Sequence, residues 1–590
     1  MCPRQLINQL NKLSSSILKK LSPVAVVFLL SSVLSVYAGV VSADKYGGEV
    51  ILSTTSDPRS FNPILAKETS TTAVTGLMFE GLTRTNGITL AAEPNLAEKW
   101  QVSSDGKTWT FYLRRDVCWS DGQRFTADDV VFTFNDLIYN PNIPNSSQDI
   151  FTVEGRNFRV EKIDDFTVRF KLPVIFAPFL RSMSQEILPR HALIKAVNEG
   201  KFNFTWGTDV KVEDLVVTGP YKLFSYSPGE KVILERNPYY WKKSSWGERL
   251  PFIDRVIFLI AQSQDTSLLK FQDGELDYYA LRGVDYPFLK PREKDGNFTI
   301  YEMGSDFSSE FVVFNQNPES NPKTRQPYVN PKKLSWFTDL KFRQAVAYAI
   351  DKRMMIDILM NGLGFVQDSA LSSSSGYFFN PKVKKYGYDL KLAKALLKEA
   401  GFADRNRDGW LEDKEGERLE FNLFTNSGDN ERLQLTAILR QDLENLGIKV
   451  NFQALEFNNL VSKLVSTYDW DVVIIGLTGG IEPHFGKNVW VSTGHLHMWH
   501  PRQKIPYTQW EKRVDEVFDA AVQELNDQKR KVLYDEWQEI IARELPVIYT
   551  ILPEVIFAVR NKFENLQPSV YGGAFHNIEE IWIKKEYRKR

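Results

Sequence analysis

Cysteine is nearly missing from these 590 residues: Cys2 and Cys118 are the pair present. Two such residues exclude a disulfide framework. Cys2 belongs to a leader segment and cannot be a lipid-attachment cysteine, which would lie directly after the apolar run. Cys118 is expected to be a small buried hydrophobe. An excess of positive charge is also lacking, with 73 Lys and Arg against 74 Asp and Glu. Without a basic arm or patch, nucleic acid is excluded as a partner. Past the leader no apolar run is long enough to cross a bilayer. Catalytic signatures are missing too: there is no H-E-x-x-H helix, G-x-S-x-G elbow or glycine-rich phosphate loop.

The chain does carry an export-type front end. Arg4, Lys12, Lys19 and Lys20 precede "VAVVFLLSSVLSVYAGVVSA", and cleavage is expected after Val41-Ser42-Ala43, with Ala38 as the second choice. An uncleaved anchor is the alternative. Removing residues 1–43 leaves 69 cations against 74 anions, a balance of −5. The expected product is a periplasmic, lipid-free monomer, whose 43% hydrophobic content fills two or three cores.

Strand-like and helix-like stretches alternate along the mature chain. "GEVILSTTS" reads as a strand that runs into the proline-punctuated loop "DPRSFNPILA". "TWTFYLRRDVCW" is a strand between two turns, and "TADDVVFTFNDLI" is a helix with Thr126 as N-cap and Asp129 three residues on. "LKFRQAVAYAIDKRMMIDILM" reads as a helix with Phe342, Val346, Ala349 and Ile350 on one face. Two further helices stop at Gly401 and Gly447, positions suited to left-handed residues. "DWDVVIIGL" is a buried strand. This rhythm implies an α/β fold with sheets covered by helices.

"DRNRDGWLEDKE", residues 404–415, matches the D-x-[DN]-x-[DN]-G-x5-E calcium pattern. Its expected ligands are Asp404, Asn406, Asp408, the Trp410 carbonyl and Glu415, with Gly409 at the bend. A preceding helix and a following strand, "RLEFNLFTNS", make it a structural loop and not a paired sensor hand. The competing reading is an acidic solvated turn. No other cofactor is expected.

Four of the six histidines, His484, His495, His497 and His500, lie in "PHFGKNVWVSTGHLHMWHP". Imidazole clusters bind zinc, so a secreted metal-dependent hydrolase is the alternative from another class. Histidines packed in a Trp-rich loop are the plainer reading.

The stretch "LAEKWQVSSDGKTWTFYLRRDVCWSDGQRFTADDVVFTF", residues 96–134, resembles the family-five extracellular solute-binding proteins that serve ABC importers. "SDPRSFNPILA", "GLTRT", "VTGPYKLFSYSPGEKVILERNPYYW", "RQAVAYAIDK", "AKALLKEAGF" and "DVVIIGL" follow in the family's order. The resemblance implies a bilobal, non-enzymatic receptor of the type II-like periplasmic-binding-protein fold, with an extra inserted domain and the ligand cleft between lobes. It places domain I at 44–88, 219–305 and 556–590, domain II at 89–218, and domain III at 306–555. The implied ligand is a peptide, with an oligosaccharide or a metal chelate as alternatives, and the implied partners are permease subunits.

In oligopeptide-binding members the loop after the "DVVIIGL" strand supplies an aspartate for the ligand's ammonium group. Here that loop reads Leu477-Thr478-Gly479-Gly480-Ile481-Glu482, without the aspartate. Candidate contacts are Thr478, Gly479, Gly480 and Glu482, with Trp490 and Trp499 as aromatic covers. Ser60, Phe61 and Asn62 in the first loop, Thr218, Gly219 and Tyr221 at the domain junction, and Asn315 near the hinge complete the set.

Overall fold

The computed structural model describes residues 45–588, except Lys67, Ser146, Glu154, His495 and Arg502. The leader and its cleavage point lie outside the described residues. Strand β1 (Glu49–Thr54) opens the described chain. Next come β2 (Ala97–Val102), β3 (Thr108–Leu113), β4 (Arg159–Asp164) and β5 (Thr167–Lys171), an antiparallel sheet of order β2-β3-β5-β4. Burial alternates along β3, sinking Trp109, Phe111 and Leu113 into the core. Strands β6 (Tyr221–Ser227), β7 (Lys231–Arg236) and β8 (Arg255–Ile260) return to β1, giving the order β1-β8-β7-β6 with β1 and β8 parallel. One apolar core joins both sheets, including Val50, Phe111, Phe170, Val232 and Val256. They form a single first lobe.

Helix α1 (Ala127–Phe132) starts as expected: the Asp129 carboxylate accepts the Thr126 N–H at 2.9 Å. Cys118 is half-buried, less enclosed than expected, since it lies on a turn bridged to Arg124. Short helix α2 (Phe179–Ser182) packs Phe179 against Trp109, Phe111 and Phe170 of the first lobe.

Strands β9 (Tyr278–Leu281) and β10 (Phe298–Ser305) belong to the first lobe, and β11 (Ser309–Phe314) belongs to the second. Asp306, Phe307 and Ser308 make this crossing. The second lobe adds β12 (Gly364–Val366), β13 (Glu420–Asn426), β14 (Lys449–Leu455), β15 (Val472–Leu477) and β16 (Val547–Tyr549). Its mixed sheet runs β14-β13-β15-β11-β16. The return crossing is β17 (Ile551–Arg560): its first residues pair with β12 and its last with β9 and β10. Two crossings give the lobes a hinge.

Both faces of the second-lobe sheet are buried, which explains the unbroken apolar run of β15. Val472 and Ile474 join Val312 and Phe314 under α3 (Leu340–Ala349), α4 (Lys352–Met360), α5 (Leu390–Ala400) and α6 (Asn430–Asn445). Val473 and Ile475 join Phe311 and Val313 under α7 (Gln509–Gln523) and α8 (Asp527–Glu544). The stretch read as one helix from residue 340 breaks at Ile350, because the Asp351 side chain caps the Met354 N–H and starts α4. Gly401 and Gly447 take the expected left-handed conformation, at φ of +100° and +86°. Among the described residues no helix is long and apolar enough to cross a membrane.

Candidate functional site

Among the described residues the lobes touch on two flanks. The Ala177 N–H donates to the Val522 carbonyl at 2.7 Å, and Val522, from α7 of the second lobe, is buried in the first lobe's core. Beside it, Phe176 sits edge-on to His484, with ring centroids 5.3 Å apart. On the other flank, Leu90 lies against Gly376, where an added Cβ would come within 3.5 Å of it. These contacts describe a closed pair of lobes.

Around the hinge, Phe307 packs edge-on to Tyr571 at 5.8 Å. The loop after β15 presses on the same crossing. A Cβ on Gly479 would fall 1.7 Å from the Phe307 carbonyl oxygen, so only glycine fits. Gly480 has open space around it, and its carbonyl accepts the Ser375 hydroxyl at 3.0 Å. Ser375 ends a run of four serines whose first two members share hydrogen bonds with Ser305, at 2.9 and 2.8 Å. A cavity of about 730 Å³ adjoins this serine cluster, walled by Lys352, Asp368 and Tyr386. Its lining comes from the second lobe, with Ser305 and Leu552 added from the two crossings.

Glu482 and Arg530 form a buried ion pair at 2.7 Å, with side chains 1% and 4% exposed. Glu482 also accepts the His484 N–H. Burial outweighs all else at His484, pushing its imidazole down to about 3 and keeping it neutral, with Lys487 and Arg530 adding repulsion. Arg181, on α2, reaches toward this group from the first lobe. Glu482, Tyr571, Arg530 and Asp527 are the groups whose charge acts on it. Its Nη1 is buried without a hydrogen-bond partner.

Several expected contacts are engaged within the protein instead. Ser60 donates to the Trp206 carbonyl at 3.0 Å, Phe61 packs edge-on to Tyr226, and fully buried Asn62 donates to the Thr205 hydroxyl. Gly219 abuts the Leu77 and Met78 backbone, where no Cβ would fit. Tyr221 is buried with its hydroxyl on the Ile253 carbonyl, and Thr218 is equally enclosed, though its hydroxyl has no hydrogen-bond partner. Asn315 spends its amide on the Tyr468 and Trp470 carbonyls, at 3.1 and 2.9 Å. These residues pin loops to the lobes. Trp490 and Trp499 are corrections as well: both are buried in the α7–α8 core, with Trp490 5.2 Å from Trp537 and the Trp499 indole N–H donating to Glu511. Thr478, Gly479 and Gly480 remain at the cleft edge, whereas Glu482 is neutralised by Arg530.

The histidines do not gather. His497 is buried, with Nδ1 at the Val489 carbonyl and Nε2 near Glu511 and Gln503, while His500 lies 3.8 Å from Glu319. His495 lies outside the described residues. Among the described residues, the carboxylate, imidazole and thiol groups that converge are Asp404, Asp408 and Glu412, whose ligand atoms lie within 4.8 Å of one another. The loop's backbone N–H groups turn onto its own side chains, and Asp408 also pairs with Arg418. Asn406 accepts the Asp408 N–H, Asp404 accepts the Gly409 N–H, and Asp408 accepts the Trp410 N–H, with Gly409 at φ +93°. Glu415 does not join: it reaches Lys332 at 3.3 Å and is 71% exposed. Glu412 lies with the two aspartates instead, buried, its Oε2 accepting the Arg405 N–H at 2.7 Å and its Oε1 free of any partner. A bend ending at the Ala403–Glu412 bridge turns that carboxylate inward earlier than the motif suggests.

Arg181, Arg530, Val522 and the serine run were missed in the sequence. The serine run was visible as a motif. The two arginines lie 349 residues apart in the chain, and no local pattern links them.

Two lobes joined by two crossings and closed on a polar seam define a receptor that encloses a small solute. The comparisons with known proteins give the family. Residues 91–495 match the model for bacterial extracellular solute-binding proteins, family 5. A probable ABC transporter-binding protein of Deinococcus radiodurans is 28% identical over 561 residues, covering 90% of this chain and 92% of its own. The oligopeptide-binding protein AppA of Bacillus subtilis is 26% identical over 556 residues, covering 91% and 92%. Its structure with a nonapeptide superposes with a TM-score of 0.70, over 92% of this chain and 99% of that one. The stachyose-bound MelB of Agrobacterium fabrum shares the fold at a TM-score of 0.74 and 21% identity, over 93% and 86%. The chain belongs to the family-five bacterial extracellular solute-binding proteins.

Proposed function

We propose that this chain is the solute receptor of an ABC importer, closing on a peptide in the periplasm and presenting the shut form to membrane permease subunits without catalysing a reaction on it. The observation that carries this reading is the seam itself. Val522 of one lobe is buried in the core of the other and hydrogen-bonded to Ala177, contacts that exist only when the lobes are shut. A ligand touching both lobes selects that state through its differential affinity. AppA's bound nonapeptide supports the peptide class. Native mass spectrometry of gently purified protein, followed by a thermal-shift peptide panel, tests it. Retained peptide masses and a raised melting temperature are expected; no shift from any peptide defeats the peptide reading.

A saccharide is the second reading, because Gly479 leaves no room for a side chain that could carry the ammonium-binding aspartate. Hexose ladders in the same spectra would favour it.

We also propose that the 404–412 loop holds a structural calcium through Asp404, Asn406, Asp408, the Trp410 carbonyl and Glu412. Oxygen donors in this number suit a hard cation, and the orphaned buried Oε1 of Glu412 needs a partner.

A further inference from the structure

We propose that Arg181 is the anchor for a carboxylate of the bound solute, so that a peptide is held by its C-terminal acid and not by its ammonium group. This rests on the receptor reading above and adds the polarity of the ligand. Four observations carry it.

First, the charges at the seam are unevenly paired. Glu482 is bound at 2.7 Å to Arg530, both nearly inaccessible. Asp527, the other acid near Arg181, is 74% exposed and lies 3.8 Å from Arg530. His484 is neutral. Both acids lie with Arg530, and Arg181 is the cation left without an ion-pair partner. Second, its Nη1 is buried with no hydrogen-bond partner, and among the described residues no carboxylate lies within ion-pair distance of it. A guanidinium offers five donors in a planar fork that matches a carboxylate, and leaving such a donor unmet in a closed seam is costly. Third, its place is between the lobes. Arg181 follows Phe176 and Ala177, which touch the second lobe, and it senses Tyr571 of the first lobe as well as Glu482 and Arg530 of the second. Fourth, the loop after β15 offers no free carboxylate for an ammonium group: Gly479 is locked as glycine, and Glu482 is already neutralised.

The test uses a pool of di- to pentapeptides prepared as free acids, as C-terminal amides, and as N-acetylated acids. Binders selected by native mass spectrometry are then titrated calorimetrically against the wild-type chain, Arg181→Gln and Arg181→Lys. The wild type is expected to bind acids at least about tenfold tighter than the matching amides, as loss of a charge-assisted hydrogen bond implies, and to accept N-acetylated acids as well as free ones. R181Q is expected to abolish the acid preference by weakening acids more than amides, and R181K to restore part of it. Equal binding of acids and amides by the wild type overturns the anchor while leaving the receptor reading intact. So does an R181Q loss that falls on both forms alike, since that marks a merely structural role. If no peptide of any form binds, the peptide reading falls and the anchor with it. Should R181Q fail to fold, the acid–amide and N-acetyl comparisons on the wild type decide the matter alone.

Discussion

Replacing Glu80 with glutamine should flatten the pH dependence of stability in the first lobe. The Glu80 carboxylate receives the Trp241 indole N–H at 3.0 Å and the Tyr240 hydroxyl at 3.4 Å, both neutral donors. The nearby cations are taken by Glu579, which binds Lys242 at 2.6 Å and Arg84 at 3.1 Å. Burial, opposed by the Trp241 hydrogen bond and reinforced by the Glu579 charge, pushes the Glu80 carboxyl up to about 7. A folded-state value above the ordinary one of 4.5 means that the folded protein holds the proton more tightly. The resulting stability is full below pH 4.5, declines as pH rises toward 7, and is gone above it. Taken whole, the difference converts to about 3 kcal/mol. The Glu80 side chain is only half-buried, so solvent screening reduces the expected loss to about 1–2 kcal/mol. Urea unfolding at pH 5 and pH 8.5 reads this directly. The wild type should lose that amount relative to E80Q between the two pH values, other titrating groups cancelling in the difference. Parallel profiles for the two proteins would refute the assignment.

Three further outcomes follow from named contacts. Calcium should raise the melting temperature over EDTA, E412Q should abolish that rise, and E415Q should leave it; identical midpoints in calcium and EDTA would reduce the loop to a turn. Glu482→Gln should destabilise the chain by about 3–5 kcal/mol in urea unfolding, because it strands Arg530 without its buried counter-charge, and a value under about 1 kcal/mol would show that water reaches the pair. Val522→Ala removes two buried methyl groups, worth about 1.5 kcal/mol, from the seam. If the ligand-free lobes are mostly open, affinity for the native solute should fall roughly tenfold, and an unchanged affinity would place Val522 outside the closing contact.

Much of the fold is written in local pattern, because strands and helix ends are set by near neighbours. The alternation in β3, the apolar run of β15 and the glycines at 401 and 447 each act within a few residues, and each is found where expected. The break at Ile350 is not legible in the pattern because an apolar face continues across it; the Asp351 cap outweighs that periodicity. Site residues were far less legible. Trp490 and Trp499 lie close in sequence to the cleft loop, yet their size draws them into the α7–α8 core. Glu415 fits the motif by count, but the bridge at Glu412 turns the loop early, and no spacing rule encodes that turn. Arg181 and Glu482 lie on different lobes and come near each other only where those lobes meet.

That separation bears on how occupancy is signalled. With the lobes apart, Arg181 would be hydrated and would cost nothing. When they shut, its Nη1 enters a seam whose nearest buried acid is already paired with Arg530. Closing an empty receptor therefore buries an uncompensated cation, a penalty that a ligand carboxylate cancels. The same arginine that favours a charged solute thus disfavours the shut form without one, which widens the gap between loaded and empty populations beyond what attractive contacts alone would give. The glycine at 479 contributes from the other side: by seating the loop directly on the Phe307 carbonyl, it ties the ligand-facing edge of the second lobe to the crossing that must bend. A transporter that recognises the shut surface would then read the charge state of the seam, through the position of the lobes, without touching the solute.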